Sequence, residues 1–193
     1  MSKKRDFRGF TMIEMVVVLA VIAILAAILT PIITSYVDRA RLNAAASDLH
    51  NIAAATIQFN TDTKLWPIYI GVFTSLNGPV DDLKGTPGND AVAGAGFAGF
   101  TASSSGSLDA ALNQNSMGLP TSGKNFWRGA YLEMGPDPWG TKYYLTSKHL
   151  QPGSTFAAYV ISAGPNQTLE TAFNQPQSGT LTIAGDDIVV RIK

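Results

Sequence analysis

The strongest constraint on this chain is an uncharged, apolar run close to its N-terminus. Between Glu14 and Asp38 no charged side chain occurs, and residues 15–37 are mostly aliphatic. Because about 20 consecutive apolar residues suffice for a helix to cross a bilayer core, the run predicts one membrane span. An ordinary secretory signal peptide is the alternative, since Ala26 and Ala27 form a weak small-residue cleavage site.

The charges before this run predict its orientation. A single acidic residue, Asp6, is outnumbered there by four basic ones: Lys3, Lys4, Arg5 and Arg8. Basic residues stay on the cytoplasmic side of a membrane helix. We therefore expect a cytoplasmic N-terminus and an extracytoplasmic location for everything after residue 37.

Composition narrows the possible functions of the remainder. The 14 Lys and Arg residues balance 14 Asp and Glu residues, so the chain lacks the basic surface that nucleic-acid binding requires, and no nucleic acid is expected as a partner. There is no cysteine, and neither His50 nor His149 belongs to a recognisable nucleophile or metal motif. We do not expect an enzyme. Residues 94–99 match a GxGxxG fingerprint by letter, but we interpret the match as spurious because no strand and helix flank it.

The junction between the basic leader and the apolar run carries Gly9 followed by FTMIE at residues 10–14. This resembles the type IV filament superfamily, whose signature is Gly, then Phe-Thr-Leu-Ile-Glu, then an apolar helix; Met12 is the one departure. The resemblance implies that residues 1–9 are a leader. A prepilin peptidase would cut between Gly9 and Phe10 and methylate the new amino group of Phe10.

Two residues within the apolar helix stand out. An ionisable group such as Glu14 is costly in a membrane helix and usually has a partner, although at the interface it could simply reach water. In the superfamily the matching carboxylate pairs with the free amine of a neighbouring subunit's first residue, here Phe10, which sets the register of assembly. Pro31 removes a backbone hydrogen bond, so we expect a kink there, and the superfamily carries a proline at the matching place.

The helical period continues beyond the membrane run, which predicts one helix over residues 10–62. Its alanine-rich outer half could contact either a head domain or another subunit, and the sequence leaves both open. Residues 63–128 are rich in Gly and Ser and predict an irregular region between helix and sheet. Residues 129–193 predict an antiparallel sheet, with strand signals at residues 130–133, 142–146, 155–162 and 188–192. A sheet this small must cover the helix, so the predicted fold is α+β, a pilin fold.

Residues 130–145 (AYLEMGPDPWGTKYYL) resemble a segment of the major pseudopilins of type II secretion. Within it residues 137–140 (DPWG) could form a binding site, but we interpret them as a rigid β-turn with Trp139 packed beneath.

That subfamily also carries a calcium site near its C-terminus. The matching residues here are Asn166, Asp186 and Asp187, whose oxygens are of the kind that Ca²⁺ prefers. Two departures are Asn166, which replaces a charged ligand, and the long separation of the two halves. The alternative is that the Asp pair caps a turn before the last strand.

Together these resemblances imply a structural subunit that polymerises with itself into a helical filament. The first reading is a type II secretion major pseudopilin, building a periplasmic pseudopilus for protein export. The second is a type IV pilin, forming a surface fibre for adhesion, motility or DNA uptake; a tethered binding domain is a third. The implied partners are a prepilin peptidase, an inner-membrane assembly platform, a cytoplasmic ATPase and minor pilins or pseudopilins. We expect single-pass insertion in the inner membrane with a periplasmic head before assembly.

Overall fold

The computed structural model shows two compact units, residues 1–41 and residues 42–193. The structure describes residues 9–68, 84–94, 108–133 and 135–193. The leader residues 1–8 and most of the glycine motif, residues 95–99, lie outside the described residues.

Helix α1 (Met12–Thr63) is 52 residues long, close to the predicted 10–62. Its N-terminal part is long and apolar enough to cross a membrane, and none of the residues in its most apolar window is buried within the structure. Pro31 lies inside this helix. Nearby hydroxyls bind main-chain carbonyls: Thr30 donates to Ala26 at 2.6 Å and Thr34 donates to Pro31 at 3.0 Å. The kink at Pro31 stays a prediction.

The second unit, called the head below, begins at Leu42 and contains the C-terminal half of α1. One face of that half is buried at three- and four-residue steps, through residues that include Ala45, Leu49, Ile52 and Phe59. These residues join the main hydrophobic core of the unit. Three of the alanines left open by the sequence, Ala45, Ala53 and Ala55, therefore belong to this core, whereas Ala44 and Ala54 are exposed.

The core is covered by a small sheet. Its four strands are β1 (Lys84–Gly85), β3 (Tyr144–Leu145), β4 (Tyr159–Ser162) and β6 (Ile188–Arg191). They lie in the order β1-β3-β4-β6, and every neighbouring pair is antiparallel. A second, two-stranded sheet pairs β2 (Val92–Ala93) with β5 (Thr168–Leu169) in parallel. The predicted α+β, pilin-like fold is confirmed.

Two local predictions were wrong. Residues 130–133 do not form a strand. Instead the Tyr131 N–H donates to the Leu112 carbonyl at 3.4 Å, and the Leu132 N–H donates to Asn113 Oδ1 at 3.1 Å. The main chain is thus bonded to the end of helix α2 (Leu108–Asn113), and the side chains of Tyr131 and Leu132 are half-buried against the main core.

The region 63–128 is also less irregular than predicted, because it contains β1, β2 and α2. The two strands have only two residues each, and the helix has six. Segments this short carry no readable period, and their structure is decided by partners distant in the chain. A short 3₁₀ helix (Ser147–Leu150) completes the described elements.

Candidate assembly motif and cation site

The predicted cleavage junction lies just before helix α1. Phe10 is 82% exposed, and a side chain added at Gly9 would meet nothing within 4 Å. Both residues at the junction are therefore exposed among the described residues.

Thr11 and Glu14 form a reciprocal cap at the start of α1. The Thr11 N–H and hydroxyl both donate to Glu14 Oε2 at 2.8 Å, and the Glu14 N–H approaches the Thr11 hydroxyl at 3.3 Å. This is a capping box, in which two of the helix's otherwise unpaired N–H groups are satisfied by two side chains. The sequence analysis did not predict a capping role for Thr11, although the Thr-x-x-Glu spacing is a recognised signal of a capping box.

The DPWG segment forms the turn that the sequence predicted. The Gly140 N–H donates to the Asp137 carbonyl at 2.9 Å, and Trp139 is half-buried against the main core. Asp137 itself is buried, and its carboxylate accepts four hydrogen bonds: from the N–H groups of Trp139 and Thr141 and from the hydroxyls of Thr141 and Ser162. Those bonds occupy the carboxylate with structural partners.

The two carboxylates proposed for calcium lie in the turn before β6, and each holds a separate part of the chain. Asp186 Oδ2 accepts the Asn166 N–H at 2.9 Å. Asp187 Oδ2 accepts the N–H groups of Glu170 and Thr171 at 2.9 and 2.6 Å. The Asp pair therefore ties the turn before β6 to the segment around β5, across the intervening residues 172–184.

The other oxygen of each carboxylate has no such partner. Asp186 Oδ1 and Asp187 Oδ1 are both buried and accept no hydrogen bond from the described residues. Asp187 as a whole is only 7% exposed. Its burial raises the pKa of the carboxyl group above the ordinary range, against the lowering effect of the hydrogen bonds from Thr171 and Glu170. Buried acceptors without partners are costly, and a bound cation is one group that would satisfy them.

Asn166 is engaged differently. Its Oδ1 accepts the Thr168 N–H at 2.7 Å, and its Nδ2 donates to Glu170 Oε2 at 3.0 Å. Within the described parts of the chain, no group of three or more His, Cys, Asp or Glu side chains is already placed to hold a metal ion. The two Asp Oδ1 atoms are thus buried acceptors without a described partner, while the Asn166 side chain is bonded to Thr168 and Glu170.

An apolar helix that begins at an exposed Gly-Phe-Thr-x-x-Glu junction and leads to a small antiparallel sheet is similar to the arrangement expected for type IV pilins and the related pseudopilins. Residues 4–30 match the family described as the prokaryotic N-terminal methylation motif.

The chain is distantly similar to both a secretion protein and a fimbrial protein. It is similar to the type II secretion system core protein G of Pseudomonas aeruginosa, 37% identical over 65 residues, which are 34% of this chain and 46% of that protein. It is similar to the fimbrial protein EcpC of Eikenella corrodens, 33% identical over 78 residues, 39% of this chain and 51% of that protein. With these two relatives the match spans about half of their length.

A longer but weaker similarity extends into the head. The type II secretion system core protein G of Escherichia coli K12 is 24% identical over 165 residues, which are 85% of this chain and 86% of that protein. No solved structure matches.

Proposed function

We propose that the chain is the subunit of a type IV-like filament, and that this filament is the pseudopilus of a type II secretion system. The observation that carries the proposal is the exposed Gly9–Phe10 junction followed by a capped helix whose most apolar window is entirely unburied. The similarity to two proteins called core protein G, one of them along most of its length, supports the secretion role. Similarity to a fimbrial protein supports the second candidate, a type IV pilin in a surface fibre.

Assembly would follow from the physics of the apolar helix. In lipid its side chains are already in an apolar medium, so moving them into a filament core gains little from the hydrophobic effect. Packing and specific polar contacts must then decide the register. A repeated head-to-tail contact that does not close generates a helical filament.

The polar contact in this proposal joins Glu14 to the amine that cleavage creates on Phe10 of a neighbouring subunit. Two unit charges 4 Å apart attract by about 4 kcal/mol at an effective dielectric constant of about 20, which is enough to select one register. The two bonds from Thr11 occupy Glu14 Oε2. Since a carboxylate has about four acceptor positions, Glu14 could accept the neighbour's ammonium while keeping its cap.

The same proposal includes processing by a prepilin peptidase, single-pass insertion in the inner membrane with a periplasmic head, and an assembly platform driven by a cytoplasmic ATPase. Minor pseudopilins or pilins would start the filament. Its location after assembly separates the two candidates, because a pseudopilus stays in the periplasm and a pilus extends from the cell surface.

The test compares wild type, Glu14→Gln and Thr11→Val in a host that supplies a peptidase and an assembly platform. Electron microscopy and immunoblotting would locate the assembled chain after shearing. We expect Glu14→Gln to be processed and membrane-bound but not assembled, because the charge that selects register is lost. Fibres confined to the envelope support the pseudopilus and long sheared fibres support the pilus, whereas normal assembly of Glu14→Gln would contradict the proposed contact.

We further propose that the head binds Ca²⁺ at Asp186 and Asp187. The supporting observation is the pair of buried Oδ1 atoms without hydrogen-bond partners. Calcium would supply the positive charge that these oxygens lack and would fix the segment around β5 to the turn before β6. The test is thermal unfolding of the full chain in CaCl₂, in MgCl₂ and in chelator; at a free concentration about 100 times the dissociation constant, Ca²⁺ should add about 2.7 kcal/mol of stability. Equal melting temperatures in all three would contradict the site.

A further inference from the structure

An open cleft of about 470 Å³ lies on the head, between the end of the 3₁₀ helix (Ser147–Leu150) and the segment that follows β5. Its lining residues take no part in the assembly contact or the cation site proposed above. They include Lys148, His149, Gln151, Phe156, Phe173 and Asn174. Clefts of about 300–1,000 Å³ with apolar walls and a few polar groups are typical sites for small molecules.

Three aromatic rings form one wall of this cleft. The centroid of the His149 ring lies 4.3 Å from that of Phe173 and 5.3 Å from that of Phe156. His149 and Phe173 are buried, whereas Phe156 is 39% exposed. The row of rings therefore starts in the interior of the head and ends in a ring that solvent reaches, which offers a ligand a rigid apolar surface.

Two amide side chains supply polar groups beside the rings. The buried His149 holds the first of them, because its Nε2 lies 3.2 Å from Asn174 Oδ1 while its Nδ1 lies 2.9 Å from the Ala157 carbonyl oxygen. The amide nitrogen of Asn174 and the whole amide of Gln151 have no hydrogen-bond partner among the described residues. An amide offers both donors and an acceptor, so together these groups can pair with hydroxyls in either direction.

We propose that this cleft binds a hexose ring of a glycan. A sugar ring carries C–H groups on its faces and hydroxyls around its edge. The first would lie on the Phe156 ring, and the second would bond to the amides of Gln151 and Asn174. A phosphate or sulfate ligand fits less well, since Lys148 is the one cationic side chain lining the cleft besides the imidazole of His149.

An extended peptide also fits less well than a sugar, because the main chain beside the cleft is already paired. The Ala157 N–H donates to the Gln175 carbonyl at 2.8 Å, and the Gln177 N–H donates to the Thr155 carbonyl at 2.8 Å. A peptide that adds as a strand needs such groups free. The sugar proposal does not rest on the filament being a pseudopilus or a pilus.

The test measures saturation-transfer NMR and calorimetric titration of the full chain, in zwitterionic micelles whose detergent carries no sugar. The probes are chitotriose, cellotriose, maltotriose and, as the peptide alternative, hexaproline. We expect at least one sugar trimer to bind. Phe156→Ala should weaken that binding about tenfold, and Gln151→Ala about three- to tenfold. The control Phe126→Ala removes a half-buried ring from a different segment and should bind as wild type does.

Thermal unfolding separates lost binding from lost structure. Gln151→Ala should melt at the wild-type temperature, because its amide has no partner in the described structure. Binding of chitotriose alone would support an N-acetylated hexose, and binding of cellotriose or maltotriose would support a plain one. The proposal would be overturned if no trimer bound to wild type, if hexaproline alone bound, or if Phe156→Ala and Gln151→Ala bound the trimer as tightly as wild type.

Discussion

Asp137 offers the sharpest test of how the head is held together. The residue is 4% exposed, and its carboxylate lies at the centre of the turn between residues 137 and 141. Oδ1 accepts the N–H groups of Trp139 and Thr141 at 3.0 and 2.8 Å. Oδ2 accepts the hydroxyls of Thr141 and Ser162 at 2.5 and 2.8 Å. The Ser162 bond joins the turn to the end of β4.

The substitution Asp137→Ala would leave two main-chain donors without an acceptor, one of them in the fully buried Thr141. Each buried donor left unpaired costs about 1–3 kcal/mol, whereas the two hydroxyls can rotate toward other acceptors. We therefore expect a loss of about 3–5 kcal/mol in the free energy of unfolding of the head. For a domain of this size that corresponds to a fall of about 6–20 °C in melting temperature.

Asp137→Asn is the matched control for that substitution. Its carbonyl oxygen can still accept both N–H groups, and its NH₂ can donate to hydroxyls that reverse direction, so we expect a loss of about 1 kcal/mol. Both variants would be measured by urea and thermal unfolding of the full chain in micelles, followed by the near-ultraviolet signal of the tryptophans. A loss below about 1 kcal/mol for Asp137→Ala would refute the view that this network holds the turn against β4.

Other predictions concern the core and its tyrosines. Phe59 is fully buried on α1, and its ring meets the Tyr131 ring edge-on with 5.6 Å between the ring centroids. We expect Phe59→Ala to lower the free energy of unfolding by about 3–5 kcal/mol. The control Ile57→Ala, on the exposed face of the same helix, should lower it by less than about 1 kcal/mol. Burial raises the pKa of Tyr144 to about 12 and raises those of Tyr143 and Tyr159 further. The folded state binds the phenol protons of these tyrosines more tightly than the unfolded chain does. The three tyrosines therefore contribute fully to stability below pH about 10, and this contribution is lost as the pH rises toward their pKa values in the folded state. Tyrosinate absorbance should therefore appear for these three side chains together with unfolding; their ionisation in the still folded head would contradict the burial argument.

The parts of this structure that could be predicted from the sequence are those determined by a pattern of neighbouring residues. The absence of charged residues from 15 to 37 and the helical period that follows predict α1. The Asp-Pro-x-Gly order predicts the turn at residue 137, because each of these residue types suits its position in a β-turn. The Thr11–Glu14 cap is equally local and was readable from its spacing. Where a structure depends on distant partners, no local pattern exists.

The short strands and the contacts of the Asp186–Asp187 turn are of that second kind. Strand β1 has two residues and owes its assignment to pairing with β3, some 60 residues later. Glu170 lies beside Asp186 and Asp187 only because the intervening segment returns to the same turn. Separation along the chain hides that proximity, so the sequence alone does not show that the Glu170 main chain bonds to the Asp187 carboxylate.

The proposed filament requires that the chain be cut before the helix and not after it, so that the helix remains as the polymerising element. The most direct test is mass spectrometry of the N-terminal peptide of subunits recovered from the envelope or from sheared fibres. We expect a chain that begins at Phe10, carries one added methyl group on its amine and retains Glu14 and the whole of residues 15–37. A mature chain that begins after Ala27 would show that the apolar run is a discarded signal peptide, and would contradict the filament subunit.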